Sequence, residues 1–192
     1  MKNLHKSIFL LIFACFALHS CSQGVPTATA NTPTQSVKST SGYVFAVNDR
    51  AGGSAFYSMN NQTGAISYML DFGEEAGKWI NYGNIIDRPA DSNPLLLQVQ
   101  ESTEGSIIYA LDGGTGQLYF MRDHGDNAGQ WMIYGGKIRE HALNMLQFDI
   151  VHRGNQSTFY AYDSFTHHTY FMNLSGTNAG KWVKYGTPYQ GE

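Results

Sequence analysis

Short apolar runs, separated by polar segments, recur along this chain at a nearly fixed interval. Three runs rich in branched and aromatic side chains lie at residues 43–47, 95–99 and 145–151. Further short runs follow each of them, bounded by Gly, Asn, Asp or Thr, as β-strands usually are. No eleven-residue window beyond the N-terminal segment carries the apolar stripe of a helix. The pattern therefore predicts an all-β domain.

A stretch of eleven residues is written three times, at residues 73–83, 125–135 and 176–186. Six positions are identical in all copies: two glycines and the alanine of a loop, a tryptophan, and a closing Tyr-Gly. The tryptophans Trp79, Trp131 and Trp182 are 52 and 51 residues apart, and aligning them brings tyrosine, threonine and methionine positions upstream into register. A period of about fifty residues is typical of structural repeats that bury their apolar faces against one another.

Each repeat is predicted to contain four strands, the last running from the tryptophan to Tyr-Gly. The repeats span about residues 43–88, 95–140 and 145–189, within a domain of residues 43–192. Twelve strands with pseudo-threefold symmetry favour a β-trefoil-like barrel. A small β-propeller or pinwheel is the alternative, because propeller blades are also four-stranded. Propellers usually have about four to eight blades, so three would need a very tight ring or a second chain.

The turn between the second and third strands has a local signature in two of the copies. Asn60 precedes Gly64, and Asp112 precedes Gly116. The Asn or Asp side chain can accept hydrogen bonds from the backbone N–H groups of residues that follow it in the turn, and the glycine supplies a positive φ. His167 replaces the glycine in the third copy, which predicts a strained residue or a different turn there.

Residues 109–116 read Tyr-Ala-Leu-Asp-Gly-Gly-Thr-Gly. This sequence resembles the hairpin of quinoprotein-type propeller blades, in which Ala-x-Asp-x-x-Thr-Gly joins two strands and a tryptophan follows. Phe120 stands where that tryptophan would fall. The resemblance covers a small part of one copy. It implies a blade-like hairpin and assigns no domain family.

Residues 1–20 have the pattern of a secretory signal peptide. Lys2 and Lys6 precede an apolar run at residues 8–18, and the small residue Ser20 stands directly before Cys21. The run is too short for a stable membrane span. A secreted chain is therefore expected.

Leu18, Ser20 and Cys21 resemble the lipobox of bacterial lipoproteins, in which the cysteine is lipidated and becomes the first residue. His19 departs from the small or apolar residue usual there, so plain secretion is the alternative, and Cys15 is a poorer candidate for lipidation. The resemblance implies a membrane anchor through the N-terminal lipid and a location in the cell envelope. The absence of Asp after the cysteine favours the outer membrane, with the domain facing the periplasm or the surface.

Composition restricts partners and chemistry further. Residues 21–42 are rich in small and polar residues, so they are predicted to be a flexible tether. With Lys2 and Lys6 removed from the twelve Lys and Arg, ten remain against fifteen Asp and Glu, a net charge of −5 with histidine neutral. There is no basic stripe, so no nucleic acid is expected as a partner. No cysteine follows Cys21, so the domain has no disulfide.

The repeated stretch supplies the candidate ligand-binding residues. They are the Lys or Gln, the tryptophan and the tyrosine of each copy: Lys78, Trp79, Tyr82, Gln130, Trp131, Tyr134, Lys181, Trp182 and Tyr185. Sugar-binding trefoils and propellers use repeated sites of aromatic and polar groups, so the analogy suggests weak glycan binding. The alternative interpretation places these aromatic residues in the core and at its rim.

Other chemistry finds little support in the sequence. The acidic segment at residues 123–127 has oxygen ligands, but Leu174 and Thr177 replace its acids in the third copy, so solvated loop charge is expected rather than a metal. His167 and His168 are adjacent on a strand and point to opposite faces, so they do not share an ion. Known catalytic signatures are missing, and we expect no enzyme activity and no cofactor.

Together the sequence suggests a non-enzymatic, lipid-anchored, monomeric envelope module that binds a glycan weakly. The rival hypothesis is a protein–protein interaction or assembly module. Its partner surface would lie on segments that differ between the copies, such as residues 87–94 and 139–144.

Overall fold

The computed structural model describes residues 42–50, 52–89, 92–102, 104–139, 146–154 and 156–190. The predicted signal peptide, the lipidation site at Cys21 and the tether before Gly42 lie outside these residues. Within the described ranges, no helix is long and apolar enough to cross a membrane.

The described residues form twelve strands, four in each repeat. Repeat 1 contains β1 (Tyr43–Arg50), β2 (Gly53–Asn60), β3 (Ile66–Leu70) and β4 (Ile80–Tyr82). Repeat 2 contains β5 (Leu95–Ser102), β6 (Gly105–Asp112), β7 (Leu118–Arg122) and β8 (Met132–Tyr134). Repeat 3 contains β9 (Leu146–Arg153), β10 (Gln156–Asp163), β11 (His168–Asn173) and β12 (Val183–Tyr185).

Each repeat folds into its own antiparallel sheet, with the strands side by side in chain order. We call these sheets 1, 2 and 3. The prediction of an all-β domain built from three four-stranded repeats is confirmed. A separate four-stranded antiparallel sheet is the form of a propeller blade. The choice between trefoil-like closure and a small propeller or pinwheel stays a prediction.

Sheet 2 lies between the other two sheets and is covered on both faces. Successive side chains of a strand point to opposite faces, so the continuous run Leu95, Leu96 and Leu97 serves both sides at once. Leu95 and Leu97 join an apolar cluster with sheet 1, whereas Leu96 joins a second cluster with sheet 3. Tyr109 and Ile108 of β6 divide between the clusters in the same way.

Sheets 1 and 3 each bury one face against sheet 2, and no described residue covers the other face. Among the residues described, no hydrogen bond, ion pair or buried apolar cluster joins sheet 1 to sheet 3. The outer face of sheet 1 carries the apolar or aromatic residues Tyr43, Phe45, Val47, Phe56 and Met69 beside the polar residues Ser58, Ser67 and Asn81. The outer face of sheet 3 is formed by Gln147, Asp149, Thr158, Tyr160, Thr169 and Phe171.

Candidate functional site

The repeated tryptophans form the seams between neighbouring sheets. The indole N–H of Trp131 donates a hydrogen bond to the carbonyl oxygen of Gly64 in repeat 1 at 3.0 Å. Trp182 makes the same bond to the carbonyl oxygen of Gly116 in repeat 2 at 2.9 Å. Both rings pack against the apolar clusters. These two tryptophans therefore hold successive repeats together.

The tyrosine of the repeated stretch reaches in the opposite direction along the chain. The hydroxyl of Tyr82 donates to the carbonyl oxygen of Arg122 in repeat 2 at 3.2 Å. Tyr134 donates likewise to the carbonyl oxygen of Leu174 in repeat 3 at 2.6 Å. Each seam between two sheets of the chain, called an inner seam, thus has two hydrogen bonds. A Trp indole donates backward, to the preceding repeat, and a Tyr hydroxyl donates forward, to the following repeat.

Glycines allow the backbones of neighbouring repeats to approach each other at the seams. A Cβ added to Gly135 would lie 2.5 Å from the carbonyl oxygen of Gly180 and 2.8 Å from its Cα. At the other seam, a Cβ on Gly83 would lie 2.6 Å from the carbonyl oxygen of Gly129. Only glycine fits at such a separation, so the terminal glycine of the repeated stretch is required at both inner seams.

The candidate binding residues therefore divide into two groups. Trp131, Trp182, Tyr82 and Tyr134 are hydrogen-bonded across the seams between sheets through their indole or hydroxyl groups. Two aromatic residues have no neighbouring repeat over them: Trp79 is 49% exposed and Tyr185 is 63% exposed. They lie at opposite ends of the row of sheets.

The polar members of the candidate set are solvent-exposed. Lys78, Gln130 and Lys181 all lie at the surface. Lys78 forms an ion pair with Glu75 at 3.0 Å, in which both side chains are more than half exposed. Exposed pairs of this kind contribute at most about 1 kcal/mol to stability. The Lys and Gln side chains are therefore accessible to a ligand or a partner.

Arginines of the segments between repeats reach the turn of the next repeat. Arg88 forms an ion pair with Asp112 at 3.2 Å, and both side chains are almost fully buried. Arg139 pairs with Asp163 at 2.6 Å and also donates to the carbonyl oxygen of Gly114. The unequal segments proposed as a partner surface thus contain arginines that connect successive repeats. Asn60, in the first turn, is neutral and has no preceding repeat.

The same aspartates organise their own turns. Asp163 accepts backbone N–H groups of Phe165 and Thr166, and Asp112 accepts those of Gly114 and Thr115. Burial raises the pKa of Asp163, but these donors and the Arg139 charge outweigh it and lower the pKa below its ordinary value.

A second charged cluster, the Arg50 cluster, crosses the seam between sheets 1 and 2. The Arg50 guanidinium donates to the Tyr57 hydroxyl at 2.7 Å and contacts Asp123 and the hydroxyl of Ser106. His124 also contacts Asp123, at 3.0 Å. Burial is the main cause that raises the pKa of Tyr57.

The expectation of solvated loop charge at residues 123–127 is therefore wrong for Asp123 and His124, whose side chains are only 20% exposed. It is correct for Asp126 and Asn127, which are exposed. Ser106 is fully buried within the cluster and cannot act as an accessible nucleophile.

The third turn differs as the sequence predicted. His167 has φ of 56°, in the left-handed region where Gly64 and Gly116 have 71° and 75°. Its ring Nδ1 lies 2.8 Å from the Tyr162 hydroxyl, within hydrogen-bonding distance. Of the two outcomes that the sequence predicted, a strained residue or a different turn, the structure shows the strained residue.

Comparisons with known proteins give no relative on which to base a function: no family model, no curated protein and no solved structure matches this chain.

Sequence reasoning missed the outer face of sheet 1 as a candidate surface. The apolar run of residues 43–47 was visible, but apolar side chains on both faces of a strand are usual in a fully covered sheet. Phe45 is instead 45% exposed and Tyr43 is 52% exposed. The available signal was position: a first repeat has no predecessor to cover one of its faces.

Proposed function

We propose that this protein is a non-enzymatic, lipid-anchored binding module of the bacterial cell envelope that acts in protein assembly. Its working surface is the outer face of sheet 1, together with the neighbouring Trp79. The observation that carries the proposal is the retention of aromatic and apolar side chains on a terminal sheet that nothing in the described chain covers. Terminal repeats usually carry a polar outer face, because solubility requires it.

The exposed aromatic residues support protein binding. Phe45 stacks on Phe56 with ring centroids 6.1 Å apart, and Tyr43 extends this surface along β1. Contiguous exposed apolar surface of this kind marks interaction sites, and aromatic side chains are enriched in protein interfaces. The repeated Trp and Tyr positions support this proposal over three equivalent glycan sites, because four of them are engaged in the seams.

A glycan site at Trp79 is the second candidate. Trp79 is the one tryptophan of the three whose ring is half exposed, and it follows the exposed Lys78, paired with Glu75. An indole face beside polar groups is the arrangement on which a sugar ring stacks. A single site of this kind would bind weakly.

The assembly proposal is tested by photo-crosslinking in cells, which captures a protein that contacts the outer face of sheet 1. A photo-crosslinking phenylalanine derivative is placed at Phe45 in the full chain, and the same derivative at Ile133, which is 66% exposed, provides the matched control. We expect a protein adduct from position 45 and none from position 133. Equal adducts from both positions, or none from either, would refute the assembly proposal.

The glycan candidate needs a different measurement. A glycan array with the wild-type chain and Trp79→Ala separates the two functions, because loss of a stacking aromatic abolishes weak sugar binding. Binding that depends on Trp79 would favour the glycan candidate. Absence of any bound glycan would eliminate it.

The membrane anchor is tested by metabolic labelling with a fatty acid. We expect label in the wild-type chain and none in Cys21→Ser, with Cys15→Ser retaining it. Label that persists in Cys21→Ser would show that the anchor has been placed wrongly.

A further inference from the structure

We propose that the partner of the outer face of sheet 1 is sheet 3 of a second copy of this chain, so that two chains close a ring of six sheets. This inference rests on the proposed assembly function and names its partner. The proposed dimer replaces the monomer expected from the sequence. Sheet 1 and sheet 3, at the two ends of the row of sheets, each carry one half of the seam that joins neighbouring repeats, and neither half has a partner among the described residues.

The hydrogen-bond donors at the two ends are complementary. Each inner seam has a Trp indole that donates backward and a Tyr hydroxyl that donates forward. Trp79 stands at the position of Trp131 and Trp182, and Tyr185 at that of Tyr82 and Tyr134. Neither the Trp79 indole N–H nor the Tyr185 hydroxyl has a hydrogen-bond partner among the described residues. A third seam of the same design would place Trp79 of one copy opposite the turn at His167 of the other. Tyr185 would then donate to a backbone carbonyl at residues 70–71.

The glycines at the two ends are complementary in the same way. Gly77 is the equivalent of Gly129 and Gly180, and Gly186 is the equivalent of Gly83 and Gly135. At the inner seams these glycines meet their partners closely, whereas a Cβ at Gly77 or Gly186 would contact nothing within 4 Å. The space for a close backbone approach is therefore present at both ends, and none of the described residues of the same chain fills it.

The apolar positions of sheet 1 match a covered face. Its outer residues correspond one by one to Leu95, Leu97, Val99, Ile108 and Met121, which sheet 1 itself covers on sheet 2. Sheet 3 of another copy would cover the outer face of sheet 1 in the way that sheet 1 covers sheet 2.

Sheet 3 offers a face of suitable character. It retains aromatic side chains at Tyr160 and Phe171, beside polar groups at Gln147 and Thr169. Tyr43 and Ser58 introduce polar groups at the matching end of sheet 1, where sheet 2 has Leu95 and Ala110. Interfaces between chains are more polar than a core, since each chain must remain soluble before assembly.

The charges at the two ends also agree. At both inner seams an arginine meets an aspartate of the next turn. In the first turn Asn60 takes the place of the aspartate, and Gln190 of the last repeat takes the place of Arg139. A neutral residue at one end therefore faces a neutral residue at the other, so these two positions would bury no unpaired charge. The carboxylate on the outer face of sheet 3, Asp149, accepts the backbone N–H of Ile150 at 2.8 Å.

Two chains suffice to close the ring. A head-to-tail interface closes into a ring when the rotation per unit permits it. Three sheets per chain give six in a dimer, which lies within the usual range of about four to eight blades.

The experiment detects contact between copies directly. Full-length chains with a photo-crosslinking phenylalanine derivative at Tyr185 are mixed in unlabelled and nitrogen-15-labelled forms, irradiated and mapped by mass spectrometry. We expect adducts between the two isotopic forms on residues 70–79, and a mass twice that of one chain. The derivative at Ile133 is the control, and we expect no such adduct. Trp79→Ala should reduce the mixed adduct at least about tenfold, the loss expected for an interface anchor.

Each outcome separates the two proposals. Adducts confined to one isotopic form would mean closure within a chain and would overturn the dimer. An adduct from Tyr185 or Phe45 to a different protein would also overturn the dimer, while the assembly function would stand. If neither position yields an adduct, both proposals fail. A mass of many chains would overturn the closed ring.

Discussion

At the residue scale, equal side chains have unequal roles because of what covers them. Trp131 and Trp79 lie in the same local sequence, yet the first bonds to Gly64 and the second is half exposed. A buried carbonyl that loses its only donor costs about 1 to 3 kcal/mol. The contribution of each repeated tryptophan to folding stability therefore depends on whether a neighbouring repeat packs against it.

The first prediction compares those two tryptophans. Trp131→Phe should lower the free energy of unfolding by about 1 to 3 kcal/mol, because the ring remains and the indole donor is lost. Trp79→Phe should change it by less than about 0.5 kcal/mol, as expected at a surface position. Urea unfolding at a concentration that keeps copies apart measures both. Similar losses for the two variants would contradict the assignment of Trp131 to a seam.

The second prediction concerns Asp163. Its folded pKa is lowered, so its carboxylate contributes stability that is fully present above the unfolded pKa of about 3.9 and is lost as the pH falls through the folded pKa. Asp163→Asn should lower the free energy of unfolding by about 1 to 3 kcal/mol at pH 7, because the Arg139 charge loses its partner. The difference should shrink below pH 4.

Asn is a suitable replacement at this position because Asn60 already accepts the turn N–H groups in repeat 1. Asp126→Asn, at an exposed loop position, is the control and should show little effect. A difference between Asp163→Asn and wild type that is independent of pH would argue against the Arg139 pair.

At the element scale, the repeated loop sets the distance between sheets. Gly135 and Gly186 have nearly equal φ, 67° and 68°, so an alanine at either position carries the same left-handed strain. They differ only in surroundings: the first meets Gly180 and the second meets open space.

The third prediction uses this matched pair. Gly186→Ala should cost about 1 to 2 kcal/mol of folding stability, the cost of a left-handed alanine. Gly135→Ala should cost about 1 to 3 kcal/mol more, because its Cβ overlaps the Gly180 backbone. Thermal and urea unfolding give both values. If the two variants are equally stable, the close approach at the seam is not required.

At the scale of the whole molecule, stability should be unequal across the three sheets. Sheet 2 is covered on both faces, and sheets 1 and 3 on one. Sheets with fewer buried contacts open locally at lower free energy.

The fourth prediction follows from this order. Amide hydrogen exchange should be slowest in β6, by at least about tenfold relative to β1 and β12. If two copies assemble, protection of β1 and β12 should rise with protein concentration while that of β6 stays constant. Uniform protection across the three sheets would contradict a row with two open faces.

Much of the fold was predictable because its determinants are local. Each short apolar run bounded by turn residues became a strand, although β1 continues to Arg50 beyond the predicted run at residues 43–47. One missing glycine predicted a strained residue or a different turn at His167, and the structure shows the strained residue. The candidate site was predicted less well, since the sequence could not say which of the nine candidate residues, three in each repeat, remain exposed.

The sequence alone determined the period, the strands and the turns, because side-chain alternation and positive φ depend on residues within a few positions of one another. The tertiary structure alone decided which tryptophans are engaged. Trp131 and Trp182 find their acceptors 67 and 66 residues earlier in the chain. Such a pairing exists only when two repeats are stacked, and Trp79 remains half exposed because no repeat precedes it.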